Sequence, residues 1–258
     1  MNTLISNLTL PLFCLMGFSG LNNLQADVGT AVGDKSIDVS VAGKPVLTYH
    51  SGTVMPPDNM DEGYARSGFI HPLYSPSGKV LTDDFPVAHA HQHALFSAWT
   101  RATFKHEVVD FWNQQGGTGN ARHVEARAQT GSGFEADLLQ FSHKGGPAIK
   151  EHWVVNVQDS SEPFIIDVLI EQECATDEEV YLHPYHYGGF GLRGSSHWNE
   201  EDKDNFEGMM KVLTSEGITD IKASNHTRPR WVAVYGPIDG SESGLVIINH
   251  PASFRYPQ

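Results

Sequence analysis

The chain reads as an all-β protein, an antiparallel β-sandwich with few short helices. Three observations predict this. Apolar and polar residues alternate at a period of two in run after run, Gly- and Asp-rich clusters punctuate those runs, and no helical pattern alternates with them. Strands joined by turns without intervening helices give antiparallel sheets packed face to face.

Taken in order, Ile37, Val39 and Val41 alternate with Asp38 and Ser40. Ala42-Gly43-Lys44-Pro45 then turns the chain into Val46-Leu47-Thr48-Tyr49, a hairpin signature. The stretch from Ser67 to Gly78 is crowded with Gly and Pro and is expected to be a shaped loop presenting His71 and Tyr74. Strand-like runs recur at Phe134 to Phe141, Trp153 to Val157, Phe164 to Glu171, Arg230 to Tyr235 and Leu245 to Asn249. Between them sit His143-Lys144-Gly145-Gly146, Asp159-Ser160-Ser161 and Asp239-Gly240-Ser241, all turn formers. The one helix expected is short, around Glu200 to Phe206, with Asn199 as its N-cap ahead of acidic residues. With no internal repeat or low-complexity linker, residues 27–258 are expected to form a single sandwich domain.

The first 26 residues contain no charged side chain, and Leu8 to Leu21 form an interrupted apolar stretch. Leu24-Gln25-Ala26 offers a small residue before a cut at Asp27, so residues 1–26 resemble a secretory signal peptide without the usual basic start. The stretch falls short of the about 20 residues of a membrane span, and no later segment approaches that length. A periplasmic or secreted protein with no integral membrane segment in its mature chain is expected. Cys14 belongs to the leader, which leaves Cys174 alone and no intrachain disulfide. Stability must come from a core, and roughly 230 mature residues suffice to bury one. The formal charge of -14 argues against nucleic acid and anionic membranes as partners. Small neutral or cationic ligands, oligosaccharides and divalent metals are compatible with it.

Chemistry concentrates in His89-Ala90-His91-Gln92-His93, which follows Asp83-Asp84 and precedes Phe96-Ser97-Ala98-Trp99. If the segment is extended, all three imidazoles leave one face, about 6.5 to 7 Å apart at consecutive same-face positions. Imidazole is the commonest metal ligand and titrates near neutrality, so the trio points to metal binding or proton transfer. His89, His91 and His93 are therefore candidate ligands for a divalent transition metal. Two can converge on one ion from a straight strand, whereas three need a bulge or bend. The competing structural reading is that the histidines fill a polar core.

Two further clusters carry polar chemistry. His183-Pro184-Tyr185-His186-Tyr187-Gly188-Gly189-Phe190-Gly191-Leu192-Arg193-Gly194 mixes histidine, tyrosine and arginine with four glycines. Glycines admit backbone close to a ligand, and aromatic rings stack on a sugar face. Asn249-His250-Pro251 followed by Arg255 is the other cluster. The chain lacks a phosphate-binding Gly-Lys-Ser/Thr loop, a Gly-x-Ser-x-Gly elbow, His-Glu-x-x-His and CxxC. Those absences argue against most nucleotide enzymes, common serine hydrolases and helical zinc proteases. Asp83, Asp84, Asp110, Glu151 and Glu171 form the pool from which a glycosidase pair would be drawn, but sequence spacing does not give their separation in space.

Gly68 to Gly78, Thr82-Asp83-Asp84-Phe85-Pro86, the histidine cluster and Val109-Asp110-Phe111-Trp112-Asn113 resemble the bacterial PmoA-like family, also labelled "methane oxygenase PmoA". Gly188 to Gly194, Arg230-Trp231-Val232 and Asn249-His250-Pro251 are similar too, so the resemblance spans most of the mature chain. It implies an exported protein associated with carbohydrate degradation and a β-sandwich related to the galactose-mutarotase superfamily. Relatives carry histidine where Gln92 stands and glycine where Ala94 stands. They also continue beyond the His-Pro block, so the resemblance implies a truncated C-terminal edge here. Methane oxidation is not expected, because the membrane methane monooxygenase is built on long apolar helices whereas this chain averages hydrophilic.

The functional expectation is a carbohydrate-active enzyme working by histidine and carboxylate acid-base chemistry. His91, His93 and His186 are the candidates for proton transfer, with Asp84 as base or orienter. Arg193 is the candidate anchor for a sugar hydroxyl or carboxylate, and His71, Tyr74, Trp99 and His250 are expected to line the site. The alternative is a non-catalytic periplasmic protein that binds a metal or a sugar.

Overall fold

The alternation that dominates the sequence folds as strands. The computed structural model describes residues 27–254 and 256, so the expected leader at 1–26, and Arg255, lie outside the described residues. In chain order the strands are β1 (Val28–Val32), β2 (Ser36–Val41), β3 (Lys44–His50), β4 (Phe69–Leu73), β5 (Leu95–Ala98), β6 (Ala102–Phe104), β7 (Glu107–Val109) and β8 (Gly119–Gln129). The second half supplies β9 (Gly133–Ser142), β10 (Gly146–Val157), β11 (Ile166–Cys174), β12 (Val180–Leu182), β13 (Gly189–Leu192), β14 (Lys211–Thr214), β15 (Trp231–Ile238) and β16 (Ser241–Ile248).

A six-stranded sheet in the order β1-β2-β3-β4-β5-β13 faces a four-stranded sheet in the order β11-β10-β9-β8, and both are antiparallel. Their inner faces interdigitate. Ile37, Val39, Val41, Leu47 and Tyr49 from the first sheet meet Phe134, Ala136, Leu138, Trp153 and Val155 from the second. The protein is thus all-β and sandwich-like, as its alternation predicts.

Near β4 and β5 the six-stranded sheet is covered on both faces. Ile70 and Leu95 point into the sandwich, while their neighbours Phe69 and Phe96 pack with Phe104, Val109, Phe111 and Trp112 under the small sheet β12-β6-β7. A third cluster of Leu81, Trp198 and Ile238 seats the β14-β15-β16 sheet against the rest. Among the described residues, no helix is long and apolar enough to cross a membrane.

The predicted hairpin at Ala42-Gly43 and the predicted turn at Asp239-Gly240 both close tightly. Ala42 and Gly43 have φ of 50° and 75°, and Asp239 and Gly240 have φ of 47° and 73°. Two consecutive left-handed residues give the primed turn whose twist matches that of its strands.

Three expectations are corrected. Residues 200–206 form turns rather than a helix, because the segment has no apolar stripe to bury and crowds acidic residues together. Asn199 instead closes the short 3-10 helix Ser196–Trp198, and the described α-helix is α1 (Ile221–Ser224), capped by Asp220. His71 lies in β4 and not in a loop: Phe69, Ile70 and Leu73 are buried, and a register shift between Leu47 and Tyr49 in the neighbouring β3 accommodates the Pro-bearing strand. Finally, His89 to Gln92 is a turn and not a strand, with the Gln92 N–H donating to the His89 carbonyl at 2.8 Å.

The two faces of the four-stranded sheet differ in what they contribute. Leu138→Ala, in the sandwich core, is expected to cost about 2–5 kcal/mol. Leu169→Ala, at a side chain 54% exposed, is expected to cost less than about 1 kcal/mol. Denaturant unfolding of the two variants measures the difference, and equal losses would contradict the packing described.

Candidate functional site

The chain between β4 and β5 is pinned by single bridges. Tyr74 pairs with Val80, Thr82 with Gly194, and Asp84 with His93, so residues 85–92 form a loop closed at its base. Alternation does not survive in this loop. His93 turns inward and is fully buried, whereas His89 is exposed and His91 half-buried.

His93 has both ring nitrogens engaged. Nδ1 lies 2.7 Å from Asp84 Oδ1 and Nε2 lies 2.7 Å from Gln114 Nε2. An amide nitrogen must donate, so Nε2 accepts and Nδ1 carries the proton given to Asp84. Burial pushes the His93 imidazole well below its ordinary range, which favours this neutral form. The arrangement leaves Gln114 Oε1 buried without a hydrogen-bond partner. Asp84 Oδ1 also accepts the Phe85 N–H at 3.0 Å. Burial raises the Asp84 carboxyl to about 6, against the opposing pull of His71 and then His50.

His71 itself is held by Thr82. The Thr82 hydroxyl accepts the Leu73 N–H at 3.0 Å and is hydrogen-bonded to His71 Nδ1 at 3.0 Å. His50 bonds the His71 carbonyl at 2.7 Å and stacks on Phe69 with ring centroids 4.8 Å apart. His50, His71, Asp84 and His93 therefore form one electrostatically linked group at the floor of the loop.

A second group faces outward. Burial lowers the His91 imidazole, His89 adds to the effect, and Asp110 opposes it. The ring centroids of His89 and His91 are 5.8 Å apart. Arg193 reaches Gln92 Oε1 with Nη1 at 3.3 Å and also acts on Asp83, whose carboxyl burial raises to about 6. Asp110 caps the following turn by accepting the Trp112 and Asn113 N–H groups at 2.9 and 2.7 Å. Asn113 Nδ2 then bridges Asp110 Oδ2 at 2.8 Å to the Tyr187 hydroxyl at 3.1 Å. Tyr185, His186 and Tyr187 are exposed and stack against one another, with centroids 4.3 to 4.9 Å apart, while Tyr187 leans on Trp112 at 5.4 Å.

The glycines of this segment seat tryptophans. A side chain at Gly189 would lie 3.3 Å from the Trp99 ring, one at Gly191 2.6 Å from Trp112, and one at Gly194 2.8 Å from Trp198. Close backbone approach is needed, as the sequence implies, but the partner is the protein's own indole. Trp99 also donates its ring N–H to Gln172 Oε1 at 2.9 Å and meets Phe254 edge-on at 6.5 Å. His250 is exposed, and its Nδ1 accepts the Ala252 N–H at 3.1 Å. Tyr74 lies apart from the histidine loop, lining a hollow of about 440 Å³ on the outer part of β1, β2 and β3.

Of the carboxylates in the expected pool, Glu151 is committed to the core. Its Oε1 accepts Ser97 Oγ at 2.8 Å, Gln172 Nε2 at 2.5 Å and Gln140 Nε2, and its Oε2 accepts the Trp153 indole at 3.0 Å. Arg66, wholly buried beside it, donates Nη2 to the Ser97 carbonyl at 2.8 Å, while Nε and Nη1 have no partner. Burial lowers the Arg66 guanidinium to about 10, so it stays charged at neutral pH. With four donors on its carboxylate and almost no exposure, Glu151 is structural. Arg66, Gln114 and His50 are polar residues that sequence reasoning missed, since none stands in a histidine cluster.

As a metal centre the trio does not assemble. Among the described residues, His197, Glu207 and Asp239 are the group that brings three ligand atoms within 4.8 Å of one another. The physical reason is the turn, which sends His93 into the core and His89 outward. His93→Ala would leave the Asp84 carboxylate and the Gln114 amide short of a partner, and is expected to cost about 2–4 kcal/mol of stability. Chemical denaturation checks this, and an unchanged midpoint would contradict the buried pairing.

No curated protein and no solved structure matches the chain. A family profile does, over residues 36–258, which takes in every strand from β2 to β16 and the whole of the site just described. The chain therefore belongs to the family of unknown function designated DUF6807.

Proposed function

We propose that this protein is an exported carbohydrate-active enzyme that acts on a sugar or oligosaccharide by histidine and carboxylate acid-base chemistry. The observation that carries the reading is a chain of polar groups that ends at exposed rings: Asp110 and Arg193 act electrostatically on His91, and Asp110 is tied through Asn113 to the hydroxyl of Tyr187, which packs on Tyr185. Exposed aromatic faces bind the apolar face of a pyranose, and the adjacent charged groups bond its hydroxyls. The resemblance to PmoA-like proteins of carbohydrate-degrading bacteria supports the same class. An uncharged apolar leader at residues 1–26 supports export.

In this reading His91 takes the proton-transfer role. Its imidazole is lowered by burial and so is neutral and basic at pH 7, and it is partly exposed. His93 becomes a positioning residue that orients Asp84 from beneath. Arg193 anchors the ligand, and His186 belongs to the aromatic platform. A second reading, a non-catalytic sugar-binding protein using the same surface, is favoured by the complete engagement of His93 and Glu151.

A thermal-shift screen against a saccharide panel, followed by turnover of any stabilising sugar, separates these readings. His91→Ala is expected to lower kcat by roughly 10²- to 10⁴-fold with the unfolding midpoint unchanged. Sugar binding without turnover in wild type would select the binding role, and no sugar stabilising the protein would overturn both.

Activity is also expected to fall as the pH drops below about 6. His91, lowered from its usual value, must be deprotonated to act as a base, and Asp84, at about 6, must be ionised to accept from His93 and hold the base of the loop; each takes up its proton on acidification. A kcat/KM profile between about pH 4.5 and 8 measures this. A rate that rises on acidification would contradict the assignment.

A further inference from the structure

We propose that His197, Glu207 and Asp239 form a binding site for a divalent cation of the Zn²⁺ class that ties the β15–β16 turn to the loop following β13. The site shares no residue with the histidine loop and goes beyond the carbohydrate reading. One ligand atom from each residue falls within 4.8 Å of the other two.

The three residues come from separate segments and are fixed by different contacts. His197 sits in the 3-10 helix Ser196–Trp198, which is anchored by Trp198: its ring is buried and its N–H donates to the Pro237 carbonyl at 3.0 Å. Glu207 is held next to His197 by its own N–H, which donates to the His197 carbonyl at 2.9 Å. Asp239 occupies the first turn position between β15 and β16. The Glu207 carboxylate accepts the Asp239 and Gly240 N–H groups at 2.7 and 2.9 Å. Backbone hydrogen bonds of this kind orient ligating carboxylates and leave further lone pairs for an ion.

The second observation concerns His197 Nδ1. Glu207 Oε1 lies only 2.9 Å away, yet the two are misaligned for a hydrogen bond, and Nδ1 is buried without a hydrogen-bond partner. A close approach of this kind without hydrogen-bond geometry fits two ligands sharing one ion. One imidazole and two carboxylates suit Zn²⁺ in four-fold coordination, with water completing the shell. Ca²⁺, which takes six to eight oxygens, suits this set poorly. Lys79 Nζ, 2.9 Å from Asp239 Oδ2, is the cation that competes for the same carboxylate.

The test uses full-length mature protein purified without a histidine tag and stripped with a chelator. Zn²⁺ is then titrated by calorimetry and by thermal shift. Wild type is expected to bind one ion per chain and to gain thermal stability. His197→Ala and Asp239→Asn are expected to lose both effects, and His91→Ala to keep them. Asp239 is exposed, so its variant stays informative if His197→Ala fails to fold. Lys79→Met is expected to tighten binding by removing the competitor. The proposal is overturned if Zn²⁺ leaves wild type unchanged, if both ligand variants retain the effect, or if His91→Ala alone abolishes it. The saccharide screen is independent of these outcomes.

Discussion

A carboxylate placed between two sheets has to be satisfied completely, and the sandwich is arranged around that requirement at Glu151. An ionised group in a low-dielectric core is costly unless donors surround it. Here the donors come from β5, β9, β10 and β11: Ser97, Gln140, Trp153 and Gln172. Because Ser97 belongs to one sheet and the other three to its partner, the network sets the register of one sheet over the other. Trp99 extends it, donating its backbone N–H to Gln140 and its indole N–H to Gln172. The same indole lies on the Gly188–Gly189 backbone. A buried charge thus reaches, through one tryptophan, to the segment that carries the exposed tyrosines.

The candidate site is built on that frame in two tiers. The lower tier of His50, His71, Asp84 and His93 is mostly buried and hydrogen-bonded to protein. Its task is geometric, holding the base of residues 85–92 closed. The upper tier of His91, Asp110, Arg193 and the tyrosines is accessible. Histidine is used in both tiers, but desolvation and hydrogen bonding separate the roles. A histidine with two protein partners is a strut, whereas one partly open to solvent keeps a lone pair for chemistry.

Regular structure was legible wherever one face was buried and the other wet. The two hairpins with consecutive left-handed residues follow directly from Ala42-Gly43 and Asp239-Gly240. The first half of β10 did not stand out, because Lys150, Glu151 and His152 read as polar, and nothing local reveals that Glu151 points inward to waiting donors. The histidine trio misled for a related reason. Period two is informative only in an extended chain, and here the His89 N–H donates to the Pro86 carbonyl while Ala88 takes a positive φ of 67°. Pro86 was the visible warning. Gln114, which fixes the His93 tautomer, comes from a segment 21 residues away and carries no local mark. The glycine block suggests room for a ligand, whereas in the structure Gly189, Gly191 and Gly194 lie against the rings of Trp99, Trp112 and Trp198.

The single bridges that close residues 74–94 carry a dynamic consequence. A strand in the sandwich shares its opening cost with a ladder of neighbours, whereas the Tyr74–Val80, Thr82–Gly194 and Asp84–His93 bridges each stand alone. Local opening of such a segment requires far less free energy than unfolding the sheets. The histidine loop is therefore a segment expected to open locally while the sheets stay intact, and its amides are expected to exchange with solvent ahead of those in the strands that flank it.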